Sequence, residues 1–114
     1  EPEIRKTFKN GEASIKIDGE PLEEDYYLTM ILTKVSRHWR NPLMRSRARV
    51  ATTIYFRINK DGSISGEAIE RRSGNTLFDN SALRAIRDAA PYGAIPESYT
   101  GDFLGIHFEF EHKP

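Results

Sequence analysis

Alternating apolar and polar residues mark four short segments of the chain, and such alternation is typical of strands with one buried face. In the second segment Val50, Ile54, Phe56 and Ile58 share one face. The last segment ends the chain with an equally regular pattern. The predicted strands are residues 12–18, 48–59, 64–71 and 103–110.

The third of these segments breaks the alternation. Ile64 and Ile69 have opposite parity, so both face the core only if the strand contains an extra residue. Gly66 lies between them, and glycine inside a strand often marks such a place. The sequence therefore predicts a β-bulge near Gly66.

Two other segments repeat their apolar residues every three or four positions, which predicts amphipathic helices over about 26–39 and 76–90. The first follows a run of acids that suits a helix N-terminus, and it ends at Asn41-Pro42 because the residue before proline avoids helical geometry. The second opens on Thr76-x-x-Asp79, which resembles a capping box, and it stops before Pro91.

The order of elements predicts an α+β domain over residues 26–114. Central strands of a sheet are normally the more apolar ones, and the crossover through the second helix must be right-handed. We therefore expect a three-stranded antiparallel sheet, with 48–59 between 64–71 and 103–110 and both helices on one face. Residues 1–25 are interpreted as a linker remnant (1–11) and a short accessory N-terminal strand. Because the chain begins at Glu1 without a methionine, it is interpreted as a piece of a longer protein.

The catalytic inventory is small. The chain has no cysteine, which excludes thiol nucleophiles, thiolate metal sites and disulfides. His38, His107 and His112 are not at metal-ligand spacing, and no glycine-rich phosphate loop is present. We therefore predict no catalytic residue, no cofactor site, no metal site and no small-molecule substrate.

Charge is balanced at 17 basic and 17 acidic residues but is unevenly placed. From Lys34 to Arg49 there are six bases and no acid. This run has two interpretations: a nucleic-acid surface spanning Arg37–Arg49, or the solvated end of a helix and its loop. Tyr55 is the only aromatic expected on the open face of the 48–59 strand, which is a weak platform for stacking bases.

Several motifs together resemble a known family. The motifs are Tyr27-x-x-x-Ile31-x-x-x-Val35-x-x-x-Trp39-x-x-Pro42, then Ile54-x-Phe56-x-Ile58-x-x-Asp61-Gly62-x-Ile64, then Ser73-Gly74…Phe78-Asp79-x-x-Ala82-Leu83-x-Ala85-Ile86…Ala90-Pro91-Tyr92, and finally Ile106-x-Phe108-x-Phe110. Over residues 26–112 this string resembles the C-terminal domain of the TonB/TolA family of Gram-negative energy transducers. The motifs do not separate the two subfamilies.

The resemblance implies a function as well as a fold. It implies a periplasmic domain, anchored to the inner membrane through an upstream segment, that couples proton-motive force to transport or envelope integrity. Through the same upstream segment it implies an inner-membrane motor complex as a partner. TonB engages outer-membrane transporters and TolA engages the TolB–Pal system. The other hypotheses are a small RNA-binding α/β module that uses Arg37–Arg49 and a small enzyme.

The resemblance also implies a binding site on the last strand. Domains of this family capture partner peptides by adding a strand beside their own last strand, so that backbone hydrogen bonds supply affinity. The predicted partner-binding residues are Phe103, Leu104, Gly105, Ile106, His107, Phe108 and Glu109. In the expected order this strand is paired on one side only. The accessory 12–18 strand could cover the other edge and be displaced on binding.

Overall fold

The computed structural model describes residues 3–8, 11–19, 22 and 25–114. Five strands and two helices follow one another along these residues. They are β1 (Glu3–Phe8), β2 (Gly11–Ile17), α1 (Asp25–His38), β3 (Val50–Asn59), β4 (Ile64–Arg71), α2 (Thr76–Ala89) and β5 (Phe103–His112). Neither helix within the described ranges is long and apolar enough to cross a bilayer.

The strands form one antiparallel sheet in the order β1-β2-β5-β3-β4. The predicted neighbours of β3 are confirmed, because it lies between β4 and β5. The α+β class with two helices is also confirmed. The expectation that β5 pairs on one side only is wrong, since β2 pairs with its other edge from Glu12↔Glu111 to Ile17↔Ile106. The alternative, that the accessory 12–18 strand covers this edge, is confirmed. β5 is therefore the middle strand of five.

The segment interpreted as a linker remnant forms a strand instead. Glu3–Phe8 pairs with β2 in an unbroken antiparallel register, from Glu3↔Lys16 to Phe8↔Gly11. Its alternation is obscured because charged residues occupy half of its positions. Cross-strand pairing, which depends on the partner strand, decides its conformation. We call β1 and β2 together the N-terminal hairpin.

The predicted bulge in β4 is confirmed. Between Tyr55↔Ala68 and Arg57↔Ser65 the register advances two residues on β3 and three on β4, and Gly66 there has a φ of 65°. A second shift lies between Thr53↔Arg71 and Ile54↔Ile69, which leaves Glu70 as an extra residue. Both Ile64 and Ile69 consequently pack against the core.

The second helix begins one residue earlier than its capping-box motif suggests. Asn75 is the N-cap, and its side-chain oxygen accepts a hydrogen bond from the N–H of Phe78 at 3.0 Å. The buried carboxylate of Asp79 instead accepts from the N–H of Ser73, at 3.1 Å. Asp79 thus ties the end of β4 to the first turn of α2.

One core lies between the helices and the sheet. The even-numbered side chains of β5 and β3 enter it, together with Ala13, Ile15 and Ile17 of β2. Trp39, Phe56, Ile86 and Phe108 all belong to this core. The Trp39 ring meets Phe78 and Phe110 edge to face, with ring centroids 5.9 and 5.1 Å apart. The opposite face of the sheet is not covered by the helices, and we call it the open face.

Candidate functional site

The two faces of β5 divide the seven predicted partner-binding residues. Leu104, Ile106 and Phe108 are fully buried in the core. The other four, which alternate with them, are Phe103, Gly105, His107 and Glu109, and they belong to the open face of the sheet. Only these outward positions could present side chains to a partner while the core stays intact.

Phe103 and Gly105 occupy the first part of this open face. Phe103 is 40% exposed, and the Arg57 guanidinium lies 4.6 Å from its ring centroid. Gly105 is buried. A β-carbon at this position would lie 3.2 Å from both the Asp18 carboxylate and the Tyr55 hydroxyl. A glycine therefore lets Asp18 and Tyr55 approach the β5 backbone from two neighbouring strands.

The backbone edge of β5 that was predicted to receive a partner is occupied by β2. Ile15 lies opposite Phe108 and Ile17 opposite Ile106, and both isoleucines are almost completely buried. Burying an isoleucine side chain contributes about 1.5–3 kcal/mol. At the start of β2 the chains are so close that a β-carbon on Gly11, where φ is 138°, would lie 2.5 Å from the Glu111 carbonyl oxygen. The hairpin is thus packed into the fold.

On the open face, a bridge of charged side chains joins β5 to the residue after β2 on one side and, across β3, to β4 on the other. His107 is hydrogen-bonded through Nε2 to Asp18 Oδ1 at 2.8 Å and through Nδ1 to Glu70 Oε1 at 2.6 Å. Asp18 directly follows β2, and Glu70 is the bulged residue of β4. The Tyr55 ring lies beside the imidazole, with centroids 5.1 Å apart. We call Asp18, His107 and Glu70 the His107 bridge.

The bridge changes the protonation of His107. Partial burial lowers the pKa of the imidazole, but the hydrogen bonds to Glu70 and Asp18 and their negative charges outweigh it, so the pKa is raised above its usual value. The protonated ring donates to both carboxylates at once. Protonation therefore strengthens the connection from the end of β2 across β5 to β4.

The bridge lies in a depression on the open face. Its volume is about 450 Å³, and its lining is polar: Ser14, Lys16, Asp18, Thr53, Glu70, Arg71, His107 and Glu109. The two carboxylates of the bridge approach opposite ring nitrogens, so the three groups do not converge on one point. Within the described residues no group of three or more acidic or histidine side chains is arranged to hold a metal ion.

The arginines from Arg37 to Arg49 are exposed, but they do not lie beside the open-face aromatic Phe103. Arg45 and its neighbours lie on a loop fixed to the far end of β5, where His112 Nε2 is 3.0 Å from the Ser46 carbonyl oxygen and Nδ1 is 2.9 Å from Asn41 Nδ2. Phe103 is at the opposite end of the same strand. Within the described residues, the arginines from Arg37 to Arg49 and the open-face aromatics therefore do not form the combined surface that nucleic-acid binding would use.

Sequence reasoning missed the partners of His107. Asp18 is 89 residues away in sequence and Glu70 is 37 residues away. They meet because β2 and β3 pair with the two sides of β5, and because Glu70, the extra residue at the second bulge of β4, reaches His107 across β3. No local motif indicates either contact.

Comparison with known proteins gives a consistent result. A family model described as TonB C terminal matches residues 24–110. The chain is 35% identical over 78 residues to Protein TonB of Pasteurella multocida, covering 65% of this chain and 30% of that protein. It is 34% identical over 68 residues to the Tol-Pal system protein TolA of Pseudomonas aeruginosa, covering 60% of this chain and 18% of that protein. The chain thus spans less than a third of the length of these two relatives.

Two solved structures share the fold. The NMR structure of the Helicobacter pylori TonB C-terminal domain has a TM-score of 0.65 at 22% identity, covering 82% of this chain and 86% of that one. TolAIII bound to a peptide from the N-terminus of TolB has a TM-score of 0.58 at 24% identity, covering 85% and 82%. At these identities the likeness concerns the fold alone.

Proposed function

The chain belongs to the TonB C-terminal family, and from this premise we propose that it is the periplasmic partner-binding domain of a TonB- or TolA-like energy transducer. The observation that carries the proposal is the family match over residues 24–110, which includes most of β5. In this role the domain binds protein and catalyses no reaction. An upstream segment anchors it to the inner membrane.

The proposed partners are outer-membrane transporters or periplasmic proteins of the Tol–Pal kind. The peptide in the TolAIII structure, which is derived from the N-terminus of TolB, supports a peptide segment of a protein as the form of partner recognised. Strand addition suits this chemistry, because the N–H and C=O groups of a strand edge bind another strand with little regard to its sequence.

We place the binding site on the edge and outward positions of β5, from Phe103 to Glu109. The edge hydrogen bonds supply affinity, and the outward side chains Phe103 and His107 select the partner. Along β5 the open face presents an aromatic ring at Phe103 and, four residues on, a histidine bound to acidic side chains. A partner would therefore meet different chemistry at the two positions. β2 pairs with β5 from Ile106 to Glu111, so a partner strand can reach that stretch of the edge only after β2 detaches.

Amide chemical-shift mapping of the full chain tests the site. A synthetic peptide from the N-terminus of TolB and a periplasmic segment of an outer-membrane transporter serve as probes. We expect the largest shifts over 103–111, at an affinity that changes little with salt. Shifts confined to Arg37–Arg49 or to the helices would reject strand addition.

A chimera tests the energy-transduction role. In it, this chain replaces the C-terminal domain of a TonB protein, and uptake of an iron chelate across the outer membrane is measured. We expect uptake above that of a deletion lacking the domain. The matched control carries Phe56→Ala, which removes a core side chain, so uptake unchanged by that substitution would show that the folded domain is not responsible.

A further inference from the structure

We propose that β2 is an internal occupant of the partner-strand site, and that the partner segment is an extended stretch with the same alternating apolar pattern as β2. This inference rests on the proposed function, since it concerns the same edge of β5. It adds two things: the chemistry of the segment that fits, and a step in which the N-terminal hairpin must leave.

The position of β2 relative to the family match is the first observation. The match begins at residue 24, whereas β2 ends at Ile17. β2 is therefore outside the shared domain, although it pairs with β5 at six consecutive positions. A segment added to the family domain thus fills the edge on which we place the partner.

The core-facing side chains of β2 define what the site accepts. Ala13 lies opposite Phe110, Ile15 opposite Phe108 and Ile17 opposite Ile106, and all three are buried. A strand that took the place of β2 but carried polar or very small side chains at these positions would pack poorly against the apolar side chains of β5. Protein cores tolerate such voids poorly. The fitting segment runs antiparallel to β5, with a small residue followed by two branched apolar residues at alternate positions.

The outward positions of β2 are held more weakly. Asp18 joins the His107 bridge at one end, and at the other end Lys113 Nζ lies 3.1 Å from Glu12 Oε2. Both contacts are accessible to solvent, where ion pairs contribute little to stability. Between them the Ser14 hydroxyl donates to Glu109 Oε1 over 3.4 Å, which is long for such a bond. Exchange of β2 for another strand of the same apolar pattern would break these described contacts on the open face and keep the apolar contacts in the core.

Hydrogen exchange on β5 tests whether the hairpin opens in the unmodified chain. The Gly105 carbonyl accepts from the N–H of Asp18 at 3.0 Å, so odd-numbered residues of β5 point their N–H groups at β2 and even-numbered residues point theirs at β3. One strand thus contains its own control.

We expect the amides of His107, Glu109 and Glu111 to exchange at least about tenfold faster than those of Ile106, Phe108 and Phe110, after correction for intrinsic rates. Faster exchange of the odd set means that β2 detaches while β3 stays paired. Equal protection of both sets would overturn the proposal, because the hairpin would then open only with the whole domain.

A disulfide lock tests competition for the edge. The chain has no cysteine, and Ser14 and Glu109 are register partners on the open face. The double variant S14C/E109C joins β2 to β5, whereas the matched control T53C/E109C joins β3 to β5 at the same β5 residue. Register partners of antiparallel strands are within the Cα separations that disulfides span.

The probe is a synthetic peptide with the sequence of residues 11–18, titrated into the millimolar range because the covalently attached hairpin competes at high local concentration. We expect shifts over 103–111 in the oxidised control, and binding at least about tenfold weaker in the oxidised β2 lock, restored by reduction. A peptide in which both isoleucines are replaced by asparagine should not bind.

Equal binding to both oxidised variants, or no binding to the control, would overturn the inference. If the TolB or transporter probe still maps to 103–111 in that case, the proposed function stands without it. If the 11–18 peptide exchanges as expected but the partner probes map elsewhere, the proposed function fails and the exchangeable edge remains.

Discussion

Replacing Phe56 by alanine tests which face of β3 is buried. Phe56 is fully buried, and its ring stacks on Tyr92 with centroids 5.8 Å apart. Removing such a ring typically costs about 3–5 kcal/mol. For 114 residues, an unfolding entropy of about 2.1 cal/mol/K per residue means that each 1 kcal/mol lowers Tm by roughly 4 °C. We therefore expect Phe56→Ala to lower Tm by about 12–20 °C in calorimetry or circular dichroism.

Phe103→Ala is the matched control, since it removes the same side chain from an exposed position on β5. Its main described contact is the Arg57 guanidinium, and an exposed cation–π contact contributes about 0.5–1 kcal/mol. We expect Tm to fall by no more than about 4 °C. A Phe56→Ala domain that melts within a few degrees of the parent would refute the face assignment.

Three further predictions concern a titrating bridge, a helix cap and a charged loop. The raised pKa of His107 means that its protonation stabilises the fold fully below about pH 6.5. This contribution is lost as pH rises through the folded-state pKa. The free energy of unfolding measured in urea should therefore depend less on pH in His107→Gln than in the parent. Asn75→Ala should cost about 1 kcal/mol and Asn75→Asp much less, as measured by Tm; equal losses would mean that the cap is not the cause. Charge reversal of Arg45, Arg47 and Arg49 should slow association with an acidic partner at low salt and leave dissociation nearly unchanged, in stopped-flow or surface-binding kinetics; an equal slowing at high salt would indicate direct contact.

Local patterns predicted the elements with a buried face. Phe56 and Phe108 each sit in a regular alternation, and alternation reports burial of one face of a strand. The parity conflict between Ile64 and Ile69 even predicted the bulge at Gly66. In each case the signal lies within a few residues of the feature that it predicts.

Features that depend on distant pairing were not predictable in the same way. The strand Glu3–Phe8 has little apolar pattern of its own, and it forms against β2. The His107 bridge requires β2 beside β5 and also requires Glu70 of β4 to reach His107 across β3. The sequence allowed the 12–18 strand to cover the edge of β5, but the pairing that fills this edge, from Glu12↔Glu111 to Ile17↔Ile106, is seen only in the structure.

The two bulges of β4 determine how this sheet can associate with others. Bulges and charged side chains interrupt the outer row of N–H and C=O groups along Ile64–Arg71, and such interruptions hinder pairing between sheets. Indefinite stacking of copies into a fibril needs two regular edges on every molecule, one to receive a strand and one to offer the next. Of the two outer strands described here, β1 pairs in an unbroken register and β4 does not. With one irregular edge, the sheet is hindered from polymerising with copies of itself.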